Sequence, residues 1–171
     1  MNTTLEIPTS ATEPKAVKPL RTLRRKILLV DDDPGIRHIL VRLLAEEDYL
    51  VLTAANGVEA LELAKSIDFD LVLLDLNMPV KNGWETFEQL STKNPLVPII
   101  LITARPNQLF TALASGVGAL LEKPLDFVKL FSTIHNLLEE PAAMRMSRYM
   151  GRPSVFSYIP PDANRQEGRT N

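Results

Sequence analysis

The chain has 171 residues, 45% of them apolar and 23% charged, and it contains no cysteine. It is long enough for one ordinary domain with a buried core, and the lack of cysteine excludes a disulfide framework, a thiolate metal site and a cysteine nucleophile. The net charge of −2 conceals an asymmetry: residues 26–140 hold 17 acids against 9 bases, whereas residues 1–25 and 141–171 each hold 5 bases against 2 acids. An acidic body is a poor electrostatic partner for nucleic acid. The apolar runs are far shorter than a membrane span, and the N-terminus has no apolar signal core. These features predict a cytoplasmic protein with no direct nucleic-acid contact and no membrane insertion.

Residues 1–25 mix Thr, Pro, Glu and Lys without a period and predict a disordered leader. A regular pattern then begins. Ile27-Leu28-Leu29-Val30 is an all-apolar run, and Ile36, Ile39, Leu40, Leu43 and Leu44 recur at helical spacing. Leu50-Val51-Leu52 predicts a second strand, and Val58, Leu61 and Ala64 a second helix. Leu71–Leu74 is a third run, followed by a helix carrying Trp84, Phe87 and Leu90. Ile99–Ile102 is a fourth, followed by Leu109, Phe110 and Leu113. Ala119-Leu120-Leu121 is a fifth, and Phe127, Leu130, Phe131, Ile134, Leu137 and Leu138 mark a last amphipathic helix. Strands apolar at every position are buried on both faces, as in a parallel sheet covered by helices. Five strand–helix units with right-handed crossovers predict an α/β, doubly wound, five-stranded sheet.

Ligands of such sheets sit beyond the carboxyl ends of the strands. There the first strand ends in Asp31-Asp32-Asp33, the third in Asp75, the fourth in Thr103 and the fifth in Glu122-Lys123. Asp33, just before Pro34, suits a helix N-terminal acid. Converging carboxylates repel unless a cation lies between them, and oxygen ligands without His or Cys favour Mg²⁺. A carboxylate, a divalent ion, a Lys and a Thr are a workable set for phosphoryl transfer, with Asp75 as the nucleophile. His38 and His135 fall on polar helix sides and are expected to be plain surface residues.

The segments KILLVDDDP, DLVLLDLNMPVKNG, PIILITA and EKP, in this order and spacing, resemble the receiver domains of response regulators, from about Lys26 to Glu140. The resemblance implies a flavodoxin-like sheet of order 2-1-3-4-5 with five helices. It implies a phosphoacceptor at Asp75, with Mg²⁺ held by Asp31, Asp32, Asp75 and the Asn77 backbone carbonyl. Thr103 and the Ala104 N–H would bind a phosphoryl oxygen, Lys123 would pair with Asp75 or its phosphate, and Pro124 would follow a cis peptide bond. Met78-Pro79 and Gly83 would shape the loop after the third strand. One departure stands out. The position three before the lysine, often aromatic in these domains and thought to rotate inward on activation, is Leu120 here, which predicts a passive core residue.

The function so implied is that of a stand-alone, cytoplasmic response regulator with self-directed chemistry only. Its partners would be a sensor histidine kinase or histidine phosphotransfer protein, and a downstream protein met by the surface of the fourth and fifth helices and fifth strand. It would be a monomer or weak homodimer. Two other readings are weighed beside it. A phosphohydrolase of the haloacid dehalogenase type needs a second acid two residues beyond its nucleophile; Asp31 and Asp33 have that spacing, while Asp75 is followed by Asn77. A degenerate receiver used only as a scaffold would lack part of the Asp31, Asp32, Asp75, Thr103 and Lys123 set. Residues 141–171, with four prolines and five arginines, predict a disordered basic tail, the alternative being a docking motif built on Tyr149, Phe156 and Tyr158.

Overall fold

The structure, a computed structural model, describes residues 24–79, 82–152 and 155–161. Apart from Arg24 and Arg25, the expected leader lies outside them, as do residues 162–171 of the tail. The elements run β1 (Lys26–Val30), α1 (Pro34–Glu46), β2 (Leu50–Ala54), α2 (Gly57–Ser66), β3 (Leu71–Asp75), α3 (Gly83–Lys93), β4 (Ile99–Thr103), α4 (Leu109–Ser115), β5 (Ala119–Glu122) and α5 (Phe127–Glu139). Two more follow: α6 (Ala142–Tyr149) and β6 (Ser157–Ile159). The strands form one sheet of order β2-β1-β3-β4-β5-β6, parallel at every pairing. The expected order 2-1-3-4-5 is present, extended by one strand.

Local chemistry starts the helices. Asp33 Oδ1 accepts from the N–H groups of Gly35 at 2.7 Å and Ile36 at 3.1 Å, with Pro34 at the first turn. Asn56 and Glu59 form a reciprocal box: Asn56 Oδ1 accepts from Glu59 N at 3.0 Å, and Glu59 Oε2 from Ala55 N at 2.8 Å. Asn82 and Asp126 cap α3 and α5.

Every residue of β3 and β4 is buried, as all-apolar runs require. Leu28, Val30, Val72, Leu74, Leu101 and Leu120 pack against α2, α3 and α4; Ile27, Leu29, Leu73, Ile100, Ile102 and Leu121 pack against α1 and α5. Each such side chain contributes roughly 1.5–3 kcal/mol by burial, which fixes the register that positions the strand ends. The helix faces match the sequence less closely. Ile39, Val58, Phe110 and Leu113 were expected to be core and are 51%, 57%, 82% and 51% exposed. In α4 the buried residue is Ala112, so the larger apolar side chains of that short helix turn outward.

The tail corrects the expectation most. Residues 141–161 are expected to be disordered, yet they carry α6 and β6. The short β6 has no sustained alternation of its own, and what forms it is pairing with the open edge of β5, a tertiary event invisible to local pattern.

Candidate functional site

Register brings the site together. Val30 pairs with Leu74, so Asp31 and Asp75 lie at the ends of adjacent strands; Asp75 pairs with Ile102, and Thr103 with Glu122. Asp31, Asp75 and Thr103 are 1%, 2% and 0% exposed, while Asp32 faces solvent. One carboxylate oxygen from each of Asp31, Asp32 and Asp75 lies within 4.8 Å of the others. Lys123 Nζ donates to Asp75 Oδ2 at 2.5 Å and to Asp31 Oδ2 at 3.0 Å. The remaining oxygens are also engaged: Asp75 Oδ1 accepts from Asn77 N at 2.7 Å, and Asp31 Oδ1 from Asp33 N at 2.8 Å. Arg37 Nη1 donates to the Asp31 carbonyl at 2.6 Å.

The electrostatics follow from this crowding. Burial pushes the Asp31 carboxyl up, against the Asp33 N–H and Lys123, which pull it down. Burial works against the Lys123 ammonium, but its bonds to Asp75 and Asp31 outweigh it, and the net shift is upward. Lys123 is therefore charged. One ammonium facing three carboxylates leaves an excess of negative charge, and the donors are all hard oxygens. This cluster could hold a divalent cation.

Asn77 differs from expectation in what it shows. Its side-chain Oδ1 accepts from Thr103 Oγ1 at 3.0 Å and from Ala104 N at 2.9 Å. The two donors expected to serve a phosphoryl oxygen are thus held by an amide; the only sequence signal for this was a polar side chain two residues beyond Asp75. The Lys123–Pro124 peptide is cis. Gly83 is obligatory for steric reasons: a Cβ there would lie 2.5 Å from Leu76 Cα and 2.7 Å from the Asp75 carbonyl. Leu120 is fully buried among core residues, and His38 and His135 are exposed. Asp33 spends its carboxylate on the α1 cap rather than on the cluster, which removes the acid pair on which the phosphohydrolase reading depended.

An acidic cluster with two buried members, a lysine and a strand-end threonine at the carboxyl edge of a parallel sheet that contains the order 2-1-3-4-5 define an α/β domain of the receiver type. The family model "Response regulator receiver domain" matches residues 27–135, and the chain belongs to that family. Among curated relatives, the transcriptional regulatory protein GlrR of Escherichia coli K12 is 35% identical over 125 residues, covering 72% of this chain and 28% of GlrR. The chain thus spans about a quarter of that relative's length. Among solved structures, the response regulator TrrA of Thermotoga maritima in complex with Mg(2+)-BeF is 35% identical with a TM-score of 0.62, over 66% of this chain and 98% of that one. A chain from the structure of the histidine kinase ThkA in complex with TrrA is 36% identical with a TM-score of 0.61, over 67% of this chain and 99% of that one.

Proposed function

We propose that this receiver accepts a phosphoryl group on Asp75, with Mg²⁺ bound, from a histidine kinase or histidine phosphotransfer protein. It then signals by phosphorylation-dependent protein contact or passes the group onward. The observation that carries the reading is Asp75 itself: a carboxylate 2% exposed, at the end of an apolar strand, 2.5 Å from Lys123 and beside Asp31 and Asp32. A structural acid has no need of three charged neighbours in one pocket. The Mg(2+)-BeF complex of TrrA and its complex with ThkA support the ion and the kinase as partners.

Asp31, Asp32 and Asp75 would hold Mg²⁺, together with the Asn77 carbonyl. When bound, the ion supplies charge neutralisation for the phosphoryl oxygens. Asp75 is the nucleophile. A carboxylate oxygen forms a bond to phosphorus while the bond from phosphorus to the donor nitrogen of a phosphohistidine breaks. The donor imidazole leaves with the electron pair. The product is an acyl phosphate on Asp75. Lys123, already paired with Asp75, stays beside the transferred group. Thr103 Oγ1 and Ala104 N become donors to a phosphoryl oxygen once they leave Asn77. The chemistry is self-directed: the chain is the acceptor, and loss of phosphate to water resets it. We read the protein as cytoplasmic, the compartment in which such histidine phosphodonors would meet it.

Intact-protein mass after incubation with acetyl phosphate and Mg²⁺ tests this. A single phosphoryl adduct is expected on wild type, dependent on Mg²⁺ and absent from Asp75→Ala. An unlabelled wild type, beside a control receiver that is labelled, would overturn it in favour of the scaffold reading.

A further inference from the structure

The C-terminal segment is fastened very differently at its two ends. At its base, α6 runs beneath the amino edge of the sheet. Arg145 donates to the last carbonyls of α5, Leu137 and Leu138, each at 2.9 Å, and to the Leu96 carbonyl at 3.3 Å. Arg148 and Glu140 form an ion pair in which both side chains are buried, 6% and 8% exposed. The Arg148 carbonyl approaches Gly116 so closely that a Cβ there would meet it at 2.8 Å. Gly151, at φ +67, then reverses the chain. These are buried, charge-assisted ties.

The tip is lighter. β6 is three residues long and lies on the outer edge of β5, pairing Ala119 with Ser157, Leu120 with Tyr158 and Leu121 with Ile159. Phe156 packs with the core on the α4 side and Ile159 with the core on the α5 side. Tyr158 is 40% exposed, and its hydroxyl donates to Glu122 Oε1 at 3.0 Å. That acceptor matters because of its neighbours. Glu122 is paired in register with Thr103, and the next residue is Lys123, whose N–H donates to the Thr103 carbonyl at 2.7 Å and whose Nζ holds Asp75. The tip is thus bonded to the side chain of the residue that pairs with Thr103 and precedes Lys123.

We propose that the β5 edge between α4 and α5 is a strand-accepting groove occupied by this chain's own β6, and that phosphoryl transfer to Asp75 unseats β6 through Glu122. Freed, the groove takes an extended segment of a partner protein with the same pattern, aromatic toward α4 and aliphatic toward α5. The inference rests on phosphorylation of Asp75 as proposed above. A phosphoryl group on Asp75 gives Lys123 Nζ a new anion beside it, and Nζ shifts from its present bonds to Asp75 Oδ2 and Asp31 Oδ2 toward that anion. Thr103 Oγ1 turns from Asn77 toward the phosphate. Both displacements act on the residues flanking Glu122, whose bond to Tyr158 requires one arrangement. The base of the segment stays fixed while the tip opens, a local transition of a short, lightly held edge strand. By linkage, whatever loosens β6 favours the phosphorylated state by the same factor.

Hydrogen exchange of the full chain, with phosphoryl occupancy read by intact mass in the same samples, tests this. Phosphorylation by acetyl phosphate and Mg²⁺ is expected to speed exchange of residues 156–160 about tenfold while α6 keeps its protection. Tyr158→Phe is expected to speed the same residues without phosphate and to raise the affinity for beryllofluoride. A labelled peptide of sequence VFSYIPP is expected to bind the phosphorylated protein about tenfold tighter than the unphosphorylated one. Full occupancy with unchanged exchange at 156–160 overturns the release and leaves Asp75 as phosphoacceptor. Peptide binding that is absent or equal in both states overturns the groove. Absence of any phosphoryl adduct overturns both readings together. An unchanged Tyr158→Phe exchange profile overturns the route through Glu122.

Discussion

Lys123 reaches Asp75 across the carboxyl edge of the sheet, its Nζ 2.5 Å from Oδ2, with only 19% of the lysine side chain exposed. The contact joins β5 to β3 over the intervening β4, and the same ammonium also holds Asp31 at 3.0 Å. Lys123 thus offsets the repulsion of two buried carboxylates. Removing one partner of a buried charge pair leaves the other uncompensated, at a cost of about 3 kcal/mol or more. Lys123→Met is expected to lose about that much stability in chelator and to regain part of it as Mg²⁺ is raised, because the ion takes over the neutralisation. Urea unfolding with and without Mg²⁺ checks this; a variant as stable as wild type in chelator would show that the carboxylates do not need the lysine.

Asn77 holds two donors that the phosphorylated state would need. Its Oδ1 accepts from both Thr103 Oγ1 and Ala104 N, and a net hydrogen bond is worth about 1 kcal/mol. Asn77→Ala frees both groups without touching the acidic cluster's side chains. The variant is expected to bind beryllofluoride with Mg²⁺ about fivefold tighter, the factor that corresponds to roughly 1 kcal/mol. Fluorescence of the single tryptophan, Trp84, serves as the readout, since its Nε1 donates to Gln108 at 3.1 Å and so links the start of α3 to the start of α4. Unchanged or weaker affinity would mean that the amide is no competitor.

Much of the site was legible because its residues stand at strand ends. A strand apolar at every position declares where it stops, and the first polar residue past Val30, Leu74, Ile102 or Leu121 then falls on one edge of one sheet. Register does the rest, so the juxtaposition of Asp31 with Asp75 follows from a pattern of period one. The helices were less legible. Ile39, Val58 and Phe110 satisfy helical spacing yet face outward, because spacing fixes a stripe but not the width of the neighbour that covers it. The tail was not legible at all. α6 is held by Arg145 and Arg148 on carbonyls and a carboxylate of α5 and its C-terminal end, and β6 by the edge of β5. These partners are distant in the sense that matters: no window of sequence contains them as a pattern. Asn77 was read as a backbone ligand, and its side-chain role depends on a loop path that a one-dimensional reading does not give.

Gly83 begins α3 directly against the strand that carries Asp75. A Cβ at this position would be 2.5 Å from Leu76 Cα and 2.7 Å from the Asp75 carbonyl oxygen. Both obstacles are backbone, so no side-chain rotation relieves them. Gly83→Ala is expected to destabilise the fold by about 3 kcal/mol, at the upper end of overpacking, and to displace the peptide after Asp75. Chemical denaturation measures the first effect and phosphoryl occupancy the second. A variant of unchanged stability would place α3 farther from β3 than the structure does.

The cap of α5 gives a pH dependence whose sign can be worked out. Asp126 Oδ1 accepts from Lys129 N at 3.1 Å, and that N–H, helped by the Lys129 ammonium, holds the Asp126 carboxyl below its ordinary value of 3.8 against the opposing effect of desolvation. A carboxyl depressed in the folded state stabilises the fold fully above its unfolded value. That contribution is lost as pH falls through the folded value. The window therefore lies below about pH 4. Asp126→Asn keeps a capping oxygen but carries no charge to titrate. The variant is expected to be slightly less stable than wild type at neutral pH, and the gap is expected to close as pH falls through that window. Thermal unfolding of the two proteins over a pH series measures it. A gap that stays constant down to the acid limit would show that the ionised carboxylate of Asp126 adds nothing to the cap of α5.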